Sequence, residues 1–106
     1  MKESQALTAF SAVSEQTRLR MLRFLVTRGA VGAAAGEVGA AVDASSSRAS
    51  FHLSALANAG LVTASKKSRQ VIYRANFQAL GALAAYLIED CCGGHPDVVR
   101  CCQPGK

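Results

Sequence analysis

The 106 residues contain no tryptophan, only 6% aromatic side chains, and no cysteine before position 91. No acidic residue lies between Ala44 and Ile88, and no apolar run approaches the ~20 residues of a membrane span. These absences narrow the function classes. With no apolar span and no signal-like segment after Met1-Lys2-Glu3-Ser4, a cytoplasmic protein with no membrane partner and with reduced thiols is expected. Four cysteines are too small a share for a disulfide-rich secreted scaffold. The length fits one domain and excludes most large catalytic architectures. A hydrophobic half argues against disorder, but much of that half is alanine. The core of one protomer should therefore be thin, and pairing of two copies is the usual remedy.

What is present is unevenly placed. Twelve Lys and Arg against seven Asp and Glu give a net charge of +5. Arg48, Lys66, Lys67, Arg69 and Arg74 fall inside the acid-free stretch. Such a segment is the footprint of a polyanionic partner, or else a solvated surface that happens to be basic. The cysteines form two adjacent pairs, Cys91-Cys92 and Cys101-Cys102, separated by a segment that begins Gly93-Gly94-His95-Pro96. They divide the chain into a cysteine-free body, 1–90, and a thiol-rich tail, 91–106.

Ala6, Leu7, Phe10 and Val13 predict a first helix by their spacing. Ser14 is a good N-cap and Glu15 suits a first turn, so a second helix should follow. Leu19, Leu22 and Val26 mark its stripe, and Gly29 can stop it. The Ala- and Gly-rich stretch 34–42 predicts a short helix, weakened by Gly36 and Gly39. Asp43-Ala44-Ser45 reads as a turn, with Ser45 capping a helix that runs to about Ala59 and ends at Gly60. Ala49, Leu53 and Leu56 form its inner face; Ser47, Ser50 with Phe51, and Ser54 lie opposite. Two helices about a short turn outline a helix-turn-helix. Leu61–Ser65 and Val71–Ala75 are β-prone segments joined by Lys66-Lys67-Ser68-Arg69-Gln70, a hairpin with a basic tip. Leu80, Leu83, Ala84 and Leu87 predict a last helix, ended by Gly93, Gly94 and Pro96. The fold class expected is mainly α with a β-hairpin (α+β): a dimeric winged helix-turn-helix.

Three segments carry a resemblance to a known family. Ser14-Glu15-Gln16-Thr17-Arg18-Leu19-Arg20-Met21-Leu22 resembles the "Leu-Ser-x-x-x-Arg-Leu-x-Ile-Leu" segment of the ArsR-type bacterial metalloregulators. Ser50-Phe51-His52-Leu53, Leu56 and Ala59-Gly60-Leu61-Val62 are similar to that family's "Ser-x-His-Leu-x-x-Leu-x-x-Ala-Gly-Leu-Val". Arg69 to Tyr73-Arg74 resembles its wing, "Gly-Arg-x-x-x-Tyr-x-Leu", except that Ser68 stands where glycine is common. The resemblance implies a dimeric repressor that leaves its operator when a metal or metalloid ion binds. The family's Cys-Val-Cys arsenite site falls on Ala33–Val38, which contains no thiol, and residues 77–88 lack the His and Asp of its zinc site. Adjacent cysteines after the last helix resemble an arsenite-sensing branch.

For DNA, Ser45, Ser46, Ser47, Arg48 and Ser50 occupy the start and outer face of the recognition helix, whose N-terminal residues meet base edges. Arg48 suits guanine bidentately, and the serines suit phosphates or either base. Simple helix capping and solubility is the plainer role for any one serine. His52 is expected to pack or to contact phosphate. Lys66, Lys67 and Arg69 should meet phosphates or the neighbouring minor groove. A dimer of this kind predicts an inverted-repeat operator in double-stranded DNA, with half-sites about one helical turn apart.

For the ion, thiolates select soft acceptors. Structural zinc prefers cysteines two to four residues apart, whereas trivalent arsenic or antimony needs only three thiolates in an open pyramid. The expected ligands are Cys91, Cys92 and either Cys101 or Cys102, with arsenite, antimonite or methylarsenite as inducer and no organic cofactor. His95 and Asp97 keep a zinc or copper site open. The last helix should bury Leu80, Leu83 and Leu87 against its mate, so that an ion at its end couples to the recognition helices. Alternatives are a zinc/cadmium-responsive or thiol-redox-responsive repressor of the same fold, and a small thiol-dependent enzyme. The enzyme needs a low-pKa cysteine in an electropositive pocket, and Glu89, Asp90 and Asp97 argue against that. No catalytic residue is assigned.

Overall fold

Alanines three residues apart make the first contact of the fold. The structure is a computed structural model and describes residues 1–101, apart from the side chains of Cys91 and Cys101. Helix α1 (Glu3–Val13) turns Ala6, Ala9 and Ala12 inward, with Phe10 and Val13 packed at their edge. Leu7, expected in the stripe, is 61% exposed. Small side chains let α1 lie close to the helices beneath it, which a leucine face would not.

Helix α2 (Gln16–Arg28) starts one residue later than its sequence predicts. Its cap is Glu15, whose carboxylate accepts from the Arg18 backbone N–H at 2.8 Å. Ser14 is committed elsewhere: its hydroxyl donates back to Ser11 O at 3.1 Å, closing α1. The buried stripe is Met21, Leu22 and Leu25, while Leu19 and Val26 face out. Both triplets satisfy helical spacing, so only packing could choose between them. Gly29 ends the helix as expected, at φ 56°.

Strand β1 (Ala33–Ala34) was not legible in an Ala-rich stretch. It is made by pairing, Ala33 with Tyr73 and Ala34 with Ile72. Helix α3 (Ala35–Ala41) follows, and Glu37 Oε1 accepts from Ala34 N–H at 3.0 Å at its start. The turn to helix α4 (Ser46–Asn58) depends on Gly39. A Cβ there would come 2.6 Å from Ala44 O and 3.3 Å from the Ala49 Cβ. Glycine therefore sets how near the two helices of the motif can approach.

Strands β2 (Val62–Lys67) and β3 (Gln70–Ala75) complete an antiparallel sheet in the order β1-β3-β2. The hairpin is longer and its turn tighter than expected. Lys66 and Lys67 extend β2, opposite Val71 and Gln70, and only Ser68-Arg69 form the turn. Helix α5 (Phe77–Ala85) is capped by Asn76, whose Oδ1 accepts from Ala79 N–H at 3.2 Å and whose Nδ2 donates to Gly60 O at 2.9 Å. One side chain thus ties α5 to the end of α4.

The expected single last helix is divided. A π-helical turn (Tyr86–Cys91) succeeds α5, and a turn follows with Gly93 and Gly94 at φ 60° and 71°. Pro96 opens a further helix, α6 (Pro96–Cys101), because proline's fixed φ suits a first helical position. Leu83 is buried within the protomer, not held for a mate; Leu80 is half-buried and Leu87 exposed.

Among the described residues, six of the fifteen buried core residues are alanine: Ala6, Ala9, Ala12, Ala33, Ala49 and Ala75. The larger volume comes from Met21, Leu25, Leu53, Leu56 and Leu61. The core is thin, as the composition implies. The architecture is mainly helical with a small antiparallel sheet, a winged helix-turn-helix.

Candidate nucleic-acid interface

Helix α4 presents one face to the core and the other to solvent. Ala49, Leu53 and Leu56 are fully buried, as their spacing predicts. Ser45 caps the helix, its Oγ accepting from the Arg48 backbone N–H at 3.2 Å, so its first role is structural. Ser46, Ser47, Arg48 and Ser50 are exposed. Among the described residues, no side-chain hydrogen bond holds any of these four, and they are free to meet a ligand.

His52 sits at the edge of this face, half-buried. Its Nδ1 lies 3.3 Å from Arg18 Nη1, and the same arginine donates through Nε to Ala12 O at 2.7 Å. Arg18 therefore binds the end of α1, the start of α2 and the flank of α4 together. The backbone N–H of Arg18, received by Glu15, is the main cause that holds the Glu15 carboxyl below its ordinary pKa; the nearby His52 is a smaller one.

The wing cations do not form a single row. Successive side chains of a strand point to opposite faces, so Lys66 and Lys67 diverge. Lys67 and Arg69 line a groove of about 530 Å³ with Arg28, Arg74 and Glu37; Lys66 is not part of that lining. Two of these arginines are already engaged. Arg74 donates to Ala30 O and Ser65 Oγ, both at 2.7 Å. Arg28 donates to Gly32 O at 3.0 Å and meets Glu37 at 3.4 Å. Among the described residues, Lys66, Lys67 and Arg69 are the exposed cations of the wing with no side-chain partner. Arg74, part of the basic count, mainly braces the hairpin.

Sequence reasoning left Phe51 outside the site, although its place on the outer face was legible. It is 71% exposed, the most exposed of the large apolar side chains among the described residues. The thiols lie at the other end of the chain. Cys92 is a free, exposed thiol, just past the π-helical turn. Cys102 lies outside the described residues, as do the side chains of Cys91 and Cys101. Among the described residues, no three His, Cys, Asp or Glu side chains converge as a metal site. His95 Nδ1 accepts from the Asp97 backbone N–H at 3.2 Å. Among the described residues, no helix is long and apolar enough to cross a membrane.

Residues 13–63 match a family described as a helix-turn-helix domain. No protein of curated function matches the sequence. Among solved structures, an ArsR-like transcriptional regulator from Rhodococcus sp. RHA1 superposes with a TM-score of 0.74 at 25% identity, over 97% of this chain and 94% of that one. A possible transcriptional regulator for arsenical resistance is 35% identical over 73% of this chain and 77% of its own, with a TM-score of 0.63. The homodimeric winged helix-turn-helix DNA-binding domain of a possible ArsR-family regulator from Mycobacterium bovis has a TM-score of 0.67 at 25% identity, covering 87% and 82%.

An exposed recognition helix beside a basic hairpin, on this framework, defines a winged helix-turn-helix DNA-binding protein. The chain belongs to the ArsR-like family of transcriptional regulators. It is a regulator of transcription, not an enzyme.

Proposed function

We propose that the protein is a homodimeric, cytoplasmic repressor that binds an inverted-repeat operator and is released by trivalent arsenic held by thiolates of its C-terminal tail. The observation that carries the DNA half is the unengaged N-terminal end of α4. Ser46, Ser47, Arg48 and Ser50 stand exposed there, beside a wing bearing Lys66, Lys67 and Arg69, with no carboxylate from 44 to 88. Ser45 serves chiefly as the cap of this helix and His52 as a phosphate contact at its flank. Dimerisation is supported by large apolar side chains left exposed in one protomer, Leu7 on α1, Phe77 on α5 and Leu87 beyond it. The homodimeric relative supports the same reading.

Arsenical resistance, named for the relative of 35% identity, supports the choice of inducer. Arsenic(III) supplies a soft acceptor of three ligands in an open pyramid. Cys91 and Cys92 would furnish two thiolates, and Cys101 or Cys102 the third. Residues 1–90 form the DNA-binding and dimerisation domain and 91–106 the ion-binding tail. The donor chemistry fits, but the backbone sets a condition. Helix α6 carries Cys101 away from the Gly93-Gly94 turn by about 9 Å of helix axis. Six residues are too few for a stable isolated helix, so α6 can unwind at little cost and let the tail fold back over Cys92.

The test is operator binding by the full chain, followed by fluorescence anisotropy with arsenite, antimonite, methylarsenite, zinc, cadmium, copper and peroxide in parallel. Arsenite should weaken binding by roughly 5–150-fold, the range of a coupling of 1–3 kcal/mol. Cys91→Ser and Cys92→Ser should abolish that response. Equal release of wild type and both variants overturns the tail site. A response confined to zinc or cadmium, or to peroxide, transfers the sensing role to those chemistries.

A further inference from the structure

We propose that Phe51 reads the 5-methyl group of a thymine in the major groove, making it a specificity-determining residue of the operator contact. The inference rests on the DNA-binding reading of α4 and deepens it. Phe51 lies about 200° round the helix from buried Ala49, so it points away from the core. It stands one turn beyond Ser47 on the same face, with Ser54 three residues on. Its ring meets only its neighbour His52 among the described aromatic groups, edge to face at 5.5 Å and 68°. No core contact accounts for it.

The surroundings select the partner. A single exposed apolar side chain is unremarkable by itself. This one is centred on a face whose other members are hydroxyls and Arg48, within a segment without carboxylates. That face complements a polyanion and suits an apolar protein groove poorly. A phenyl ring can neither donate nor accept a conventional hydrogen bond, so it gains nothing from base edges that present only donors and acceptors. The one apolar group the major groove offers is the thymine methyl.

The test uses the full chain and duplexes recovered by selection from a random library, all compared at one salt concentration because phosphate contacts dominate the salt response. Each thymine of the recovered site is replaced in turn by deoxyuridine, which lacks only the methyl. One position per half-site should weaken wild-type binding about fourfold, the loss of one buried methyl. Phe51→Ala should bind thymine and uracil duplexes equally, at the affinity wild type shows for uracil. Phe51→Leu, still apolar, should keep part of the thymine preference, and Phe51→Ser should lose it. The inference is overturned if no thymine is sensitive, or if Phe51→Ala retains the fourfold preference. Failure of wild type to bind any unsubstituted duplex overturns the operator reading itself, and that outcome is distinct.

Discussion

The guanidinium of Arg18 lies 3.3 Å from Nδ1 of His52, thirty-four residues further along the chain. A guanidinium has donors only, and this contact joins α2 to α4 through one ring nitrogen of His52. The contact lies at the edge of the recognition face, where His52 is half-buried. It also fixes α4 against the α1–α2 corner through the second bond of Arg18, to Ala12 O.

A double-mutant cycle should detect this link. Arg18→Met and His52→Ala are expected to couple by about 1 kcal/mol in urea unfolding, the worth of one part-buried hydrogen bond. Arg18→Met alone should cost more, because Ala12 O loses its partner too. Additive single effects would show that the contact contributes nothing to stability.

Glu15 predicts an acid-side effect. Its folded pKa is lowered chiefly by the Arg18 backbone N–H. The stabilisation is therefore present above the ordinary carboxylate pKa and is lost as pH falls through the folded value. Glu15→Gln should reduce stability at neutral pH and flatten the decline between neutrality and strongly acid solution. Thermal melts across that range would show the two curves converging at low pH; parallel curves would refute it.

Capping and recognition should separate at the start of α4. Ser45→Ala removes the cap and should cost about 1 kcal/mol of stability. Ser45→Asp should preserve the cap yet weaken DNA binding by placing an anion beside phosphates. Arg48→Ala should leave stability within about 0.5 kcal/mol and lose 1–3 kcal/mol of sequence-specific affinity. Unfolding and anisotropy on the same preparations give both quantities. A loss of stability without loss of affinity at Arg48 would remove it from the interface.

The wing turn holds Ser68 at φ 57°, one of two described non-glycine residues with positive φ. That region costs a non-glycine residue about 1–2 kcal/mol, partly offset by glycine's greater loss of entropy on folding. Ser68→Gly should therefore stabilise the protein by up to about 1 kcal/mol, read as a rise in Tm. A fall in Tm would mean that the serine side chain is held by a contact that offsets its backbone strain.

Much of this arrangement is legible in the residue pattern. Ala49, Leu53 and Leu56 fall on one face at helical spacing, so the orientation of α4 follows from local pattern alone. Ser45 and Gly60 mark its ends by the chemistry of caps. The hairpin follows from two β-prone runs around a basic link. Other features could not be read locally. Leu19 and Val26 fit a helical stripe as well as Met21 and Leu25 do, and only the neighbouring helices choose. β1 exists because Tyr73 and Ile72 offer it hydrogen bonds. Neither Arg18–His52 nor the bracing of Arg74 on Ala30 has a signal in residue spacing.

By itself the amino-acid order determined the sequence of elements, the recognition helix with its inner and outer faces, and the separation of a basic body from a thiol-rich tail. These depend on periodicity, caps and charge, which act over a few residues. Tertiary structure decided which cations remain free, which leucines are buried, and that Phe51 stands uncovered. Those outcomes depend on what lies opposite each side chain, and the residues opposite come from distant parts of the chain.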